Sequence, residues 1–235
     1  MKHILSVSLL LVVLPMAAFG FHGLVVVDPG DYADAIQEFL SGLGYDVTIT
    51  DTYPDASGMS AYDFVACAKG TLSGMASTFQ TYLNNGGSVY LTSGQPLYLG
   101  MPDWIGMSTY SNWFGSNTYM RASYDNPLDA PGVSEGDPFY NRVNYMDGGA
   151  VLKNPTTATI DGHFNDDYAS ASNIHNEYGN GRVAWTAIWF CPWDAGDNGY
   201  TTDEYESYLC AVYGWFCGSG CDVEETTWGQ IKALK

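Results

Sequence analysis

One stretch narrows the choice of folds more than any other: residues 79–95, FQTYLNNGGSVYLTSGQ. Ala76, Phe79, Tyr82 and Leu83 carry the spacing of an apolar helical stripe, and Gly86-Gly87 stops it. Residues 88–92 then form a short apolar strand that ends in the polar turn Thr92-Ser93-Gly94. Helix, glycine stop, buried strand and turn make the repeating unit of a wound α/β sheet. In such sheets ligands gather beyond the carboxyl ends of the strands.

The flanking residues extend the unit. Residues 24–27 (LVVV) read as a strand buried on both faces. After Asp28-Pro29-Gly30, an apolar stripe at Tyr32, Ile36, Phe39, Leu40 and Leu43 predicts a helix ended by Gly44. Residues 47–50 and 63–68 (DFVACA) supply two more strands. Strand, helix, strand, strand, helix, strand implies parallel pairing with right-handed crossovers. Near the other end, residues 182–190 (RVAWTAIWF) predict a strong strand. Tyr205, Tyr208, Leu209, Val212, Tyr213 and Phe216 predict a closing helix stopped by Gly218. Between about 98 and 181 the pattern dissolves into Gly, Asn, Asp, Ser and aromatics. Eighty structureless residues do not suit a compact domain, so short strands and ordered loops are expected there, best at 151–153 and 157–160. The expected fold class is α/β: a wound, mostly parallel sheet with helices on both faces and an aromatic-rich loop and strand insertion.

Compartment and charge bound the function. Lys2 and His3 precede an apolar run over residues 4–14, and Ala17-Ala18-Phe19-Gly20 offers small residues for cleavage. Residues 1–20 are therefore expected to be a signal peptide, 21–218 a single domain and 219–235 a tail. The mature protein would be extracellular or on the cell surface. No later segment is apolar enough to cross a bilayer. With 26 acidic against 8 basic residues, for a formal charge of -18, nucleic acid is not an expected partner, because too few cations face the phosphates. Cys67 sits in an apolar run and reads as a buried thiol. Cys191, Cys210, Cys217 and Cys221 suffice for one or two disulfides, and their spacing fits no compact zinc pattern.

The element order, together with GG-x-V-x-L-T-x-G at residues 86–94 and G-R-V…F-C-P-W at residues 181–193, resembles the class I glutamine amidotransferase-like superfamily, a flavodoxin-like fold. The resemblance covers residues 24–93 and 181–218. It implies a nucleophilic Cys two residues before the turn glycine; here that position is Thr92. It also implies a His and a Glu in a Phe-His-Pro-Glu run; here Cys191 and Trp193 stand in those places. A threonine hydroxyl without its base does not attack an amide. The resemblance therefore implies a catalytically degenerate scaffold. Residues 223–235 (VEETTWGQIKALK) resemble a linker that leads into surface-sorting modules of exported bacterial proteins, and equally read as a frayed helix.

Three constellations could carry chemistry. Ser93, His175 and Glu177 offer hydroxyl, imidazole and carboxylate for a hydrolase triad, although Ser93 lacks the G-x-S-x-G elbow. Asp28, Asp51 and Asp194 each follow a strand and suit Ca²⁺, with Asp197 in the loop DAGDNG and a second acidic group at Asp161, Asp166 and Asp167. Setting Gly199 at the sixth position of an EF-hand puts Gly196 and Tyr205 where oxygen ligands belong, so the loop is not an EF-hand. Trp104, Tyr110, Trp113 and Tyr119 offer rings for stacking on sugars, or filling for a small core.

The expected function is a non-catalytic binding or structural module, secreted or at the surface. Its ligand, carbohydrate or protein, would sit near Asp28, Thr92, Ser93 and Asp194. The alternatives are a secreted hydrolase using Ser93 and His175, or a calcium-dependent carbohydrate-binding protein with Asp28, Asp194 and Asp197 on the metal. No organic cofactor is expected.

Overall fold

The computed structural model describes residues 20–28, 33–68, 70, 72–112, 118–124, 127–143, 150–165, 167–187 and 200–218. The expected signal peptide and tail, and with them Trp113, Asp166, Cys191, Trp193, Asp194, Asp197 and Cys221, lie outside these residues.

The first half alternates as its apolar runs demand: β1 (His22–Val26), α1 (Ala33–Gly42), β2 (Asp46–Thr50), a single turn α2 (Ala56–Met59), β3 (Phe64–Cys67), α3 (Ala76–Asn84), β4 (Ser88–Thr92) and a second single turn α4 (Gln95–Tyr98). α2 is announced only by its cap, Asp55, whose carboxylate accepts from Gly58 N. Gly86 ends α3 at φ 94°, and at Gly87 a Cβ would lie 2.2 Å from the Tyr82 ring. The glycine pair thus both stops the helix and lets Tyr82 fold back over the start of β4.

The insertion is a set of antiparallel strands: β5 (Met107–Asn112), β6 (Thr118–Ala122), β7 (Pro138–Val143), β8 (Ala150–Pro155), β9 (Thr159–Phe164) and β10 (Asp167–Tyr178). β11 (Gly181–Thr186), the short β12 (Tyr200–Thr201) and α5 (Asp203–Cys217) follow. Both strand expectations within the insertion fall on strands, β8 and β9. β5, β6, β7 and β10 give no signal in the sequence, because their residues are mostly polar or small.

All twelve strands form one sheet, in the order β12-β7-β6-β9-β10-β11-β4-β3-β1-β2, with β8 joining at β10 and carrying β5. β2, β1, β3, β4 and β11 are parallel neighbours, the core of the wound α/β fold. β11 lies beside β4 in register, Arg182 opposite Ser88 and Thr186 opposite Thr92. Every residue of β4 is buried, as cover on both faces requires. α5 covers one face with a row of rings: Tyr213 stands 5.0 Å from Phe64 and 5.6 Å from Tyr90, and Tyr208 stacks on Phe139 at 5.0 Å. Trp104, a candidate sugar platform, is instead buried against Phe79 and gives its indole N–H to the Ala76 carbonyl.

Candidate functional site

At the end of β4 the backbone leaves the sheet through Ser93, which takes φ 49°, a left-handed conformation that a side chain disfavours. The turn is locked from below. Thr92 Oγ1 and Gln95 Nε2 both donate to the Cys67 carbonyl, at 3.0 and 2.7 Å, and Gln95 Oε1 accepts from Thr92 N at 2.7 Å. Ser93 N donates to the Thr186 carbonyl, and Trp185 Nε1 donates to the Ser93 carbonyl. Thr92 is wholly buried, so the hydroxyl at the family's nucleophile position joins β3 to β4. Among the described residues the Ser93 hydroxyl has no hydrogen-bond partner. Asp28 follows β1 closely in the chain and accepts from Gly70 N at 3.2 Å. Asp194, placed by sequence at the same rim, is outside the described residues.

His175 lies elsewhere. It is a strand residue of β10, not a loop residue, and pairs with Ala184 of β11, which in turn pairs with Tyr90 of β4. Ser93 is three residues beyond Tyr90 and two strands away. At about 3.3 Å per residue and about 4.8 Å per strand, the two backbones stand about 10 Å apart along the strands and about 10 Å across them. The sheet therefore does not assemble the Ser93–His175–Glu177 triad. Glu177 is exposed, two residues further along β10 and opposite Arg182.

What His175 does have is a buried carboxylate behind it. Its Nδ1 lies 2.7 Å from Asp161 Oδ1, and the other carboxylate oxygen accepts from the Tyr208 hydroxyl at 2.9 Å. The Asp161 side chain is 1% exposed and the imidazole 21%. Burial pushes the Asp161 carboxyl up from its ordinary value, against the lowering by the hydrogen bonds and charge of His175 and the Tyr208 bond. Tyr208 is pushed well up, first by burial and then by that carboxylate. The Trp215 ring meets His175 edge-on at 5.3 Å, and Arg182 lies over Trp215 at 5.4 Å.

The network runs on beneath α5. Tyr208 also bonds Asn173, Asn173 Nδ2 donates to Thr186 Oγ1, and Tyr205 donates to the same oxygen at 3.2 Å. Gly162 makes room for it, since a Cβ there would lie 2.6 Å from Asn173 Oδ1. A continuous row of polar groups thus joins the rim at Thr186 to the half-buried imidazole. Sequence reading misses this row, because Asp161 reads there as part of an acidic loop with Asp166 and Asp167. Asp161 is a core residue of β9. Asp167 opens β10 and accepts from Ser170 Oγ and Ala169 N, which lower its pKa. A polar residue every second position in 167–177 is the available signal, since it gives one polar face to a strand.

Among the described residues no three His, Cys, Asp or Glu side chains come together as metal ligands. Cys67 is a buried free thiol, as expected, and Cys217 is free as well; burial pushes both up to about 12. Cys210 is disulfide-bonded. With Cys67 and Cys217 free, three of the five cysteines remain and allow one disulfide, not two.

No protein-family model matches the chain, and no curated protein matches it. Solved structures do. A GMP synthase protein from Thermoplasma acidophilum aligns at TM-score 0.56 and 13% identity, over 83% of this chain and 96% of that one. A ThuA-like protein from Parabacteroides merdae aligns at 0.56 and 12%, over 86% and 91%. A β-galactosidase from Rahnella sp. R3 aligns at 0.54 and 13%, over 85% of this chain but only 31% of the enzyme. The chain thus spans about a third of that β-galactosidase. At these identities the likeness concerns the fold: a mixed, centrally parallel α/β sheet with helices, shared with glutamine amidotransferase-like and ThuA-like proteins.

Proposed function

We propose that this chain is a binding or structural module, secreted or surface-associated, built on an amidotransferase-like scaffold that has lost its triad chemistry. One observation carries the reading: the Thr92 hydroxyl, at the family's nucleophile position, is buried and donates to the Cys67 carbonyl. A hydroxyl spent in this way has neither access to substrate nor a base to take its proton. The carboxylate-backed imidazole, which an enzyme would aim at the turn, lies two strands away.

A second reading has one observation in its favour. Ser93 holds φ 49° between a strand and a helical turn, and its hydroxyl has no partner among the described residues. Strain at such a turn is how hydrolases raise a nucleophile. A hydrolase built on Ser93 would need a base other than His175. Calcium-dependent carbohydrate binding through Asp28, Asp194 and Asp197 is a third, and it predicts a melting temperature lowered by chelator and restored by Ca²⁺.

The test uses the full chain with glutamine and with p-nitrophenyl esters. The module reading expects no turnover above buffer and no change in Ser93→Ala. Turnover that disappears in Ser93→Ala, with the urea midpoint retained, would replace it by the hydrolase.

A further inference from the structure

We propose that Tyr119, Arg121 and Tyr168 form a docking face for uronate-bearing oligosaccharides; the inference rests on reading the chain as a binding module. The three belong to the face that β6 and β9 present beyond the reach of α5. Residues 119, 121 and 123 alternate to one side of β6, and Arg121 pairs across to His163. Arg121 lies over the Tyr119 ring at 5.6 Å. Tyr168 stacks on His163 at 4.1 Å with 24° between the planes. Contact therefore runs without a break from Tyr119 through Arg121 and His163 to Tyr168.

The face is exposed and held in place. Tyr119 is 38% and Tyr168 50% exposed, while His163 beneath is 1%. Tyr119 is fixed by its backbone: its N–H donates to Asn165 Oδ1 at 2.9 Å, and its carbonyl accepts from Asn165 N at 2.8 Å. Arg121 is fixed by one nitrogen, Nη1, which donates to the Gly136 carbonyl at 2.9 Å. Nothing in this arrangement has to be ordered when a ligand arrives, which removes part of the entropic cost of binding.

Charge selects the occupant. The chain has 26 acidic residues and 8 basic ones, yet among the described residues no carboxylate pairs with Arg121. Asp167, which opens the adjoining strand, turns its carboxylate to Ser170 and Ala169. The guanidinium keeps Nε and Nη2 as a planar fork, the shape that matches a carboxylate. Exposed tyrosine rings to either side offer flat apolar faces for the C–H faces of a pyranose. One cation between two rings suits one carboxylate per sugar unit. The formal charge of -18 repels a dense polyanion from afar, but that repulsion is screened beyond about 8 Å in physiological salt. A sparsely charged glycan therefore fits better than nucleic acid.

The test is calorimetric titration of the full chain with trigalacturonate and with its methyl ester, which keeps the rings and removes the charge. The free acid is expected to bind about tenfold more tightly than the ester, as a charge-assisted fork allows. Arg121→Ala should erase that preference. Arg121→Lys, which keeps the charge and the fold, should retain only part of it. Tyr168→Ala should weaken acid and ester alike. Equal affinity for the two forms, unchanged binding in Arg121→Ala, or tighter binding of a tetraglutamate peptide would each overturn the proposal. Failure to bind without turnover sinks this surface alone. Cleavage of trigalacturonate would sink the module reading and leave the surface standing.

Discussion

In the parallel half of the sheet, β1, β3 and β4 are filled by Leu24, Val25, Val26, Phe64, Val65, Val89 and Leu91, and the polar side chains buried there sit at strand ends. In the antiparallel half, β9 and β10 bury Asp161, His163, Ser172, Asn173 and Asn176 among apolar neighbours. The first half needs only shape, because its backbone ladders satisfy the peptide groups. The second needs partners, because each buried polar group costs about 1–3 kcal/mol when left without one. The contrast teaches where changes will hurt and how: volume in one half, hydrogen-bond connectivity in the other.

The sharpest way to break that contrast is to remove volume where shape alone is said to matter. Trp185→Ala empties a fully buried indole site in β11 and frees the Ser93 carbonyl; it should cost about 3–5 kcal/mol in urea unfolding. In the polar half, Asp161→Ala strands both the Tyr208 hydroxyl and His175 Nδ1, and should cost about 3 kcal/mol. Asp161→Asn, which keeps an acceptor, should cost less. A smaller loss for Asp161→Ala than for a surface control would show that the network contributes nothing.

The same carboxyl links stability to pH. Its pKa is raised in the folded state, chiefly by burial, so the folded chain holds that proton more tightly than the unfolded chain. The stabilisation is fully present below the ordinary value of 3.8 and is lost as pH rises through the folded value. Urea midpoints measured upward from pH 4 should therefore fall more steeply in the wild type than in Asp161→Asn. Equal slopes would remove Asp161 from the account.

Two smaller effects refine the boundary between the halves. Thr92→Val keeps the shape of a fully buried side chain but drops its bond to Cys67, at about 1 kcal/mol by equilibrium unfolding. Ser93→Gly relieves φ 49° and should raise the midpoint slightly, by up to about 1 kcal/mol. A loss instead would mean that the hydroxyl holds something beyond the described residues.

How much of this is legible in the sequence follows the same division. Residues 88–92 read as a strand and are one, because a continuous apolar run flanked by glycines has no other comfortable place. The Thr92 turn is visible, but its lock is not, since Gln95 reaches Cys67 across a distance of 28 residues in the chain. DYASASNIHNEY, residues 167–178, hides β10 altogether. Small and polar residues carry little strand propensity, and their burial depends on α5, which arrives from the far end of the chain. In the sequence Asp161 is one of several acidic residues, and only tertiary packing distinguishes it from Asp167, which caps a hairpin in solvent.

Placing β11 directly beside β4 has a consequence for the order of assembly. Those two neighbours are separated by roughly ninety residues of chain, so β4 waits, half-paired, while the whole insertion is made. Closure that distant is slow, and an open parallel edge is an invitation to other chains in the meantime. During synthesis the first four strands emerge with β4 as their bare flank, and the time until β11 docks is the window in which this protein is most exposed to misassembly.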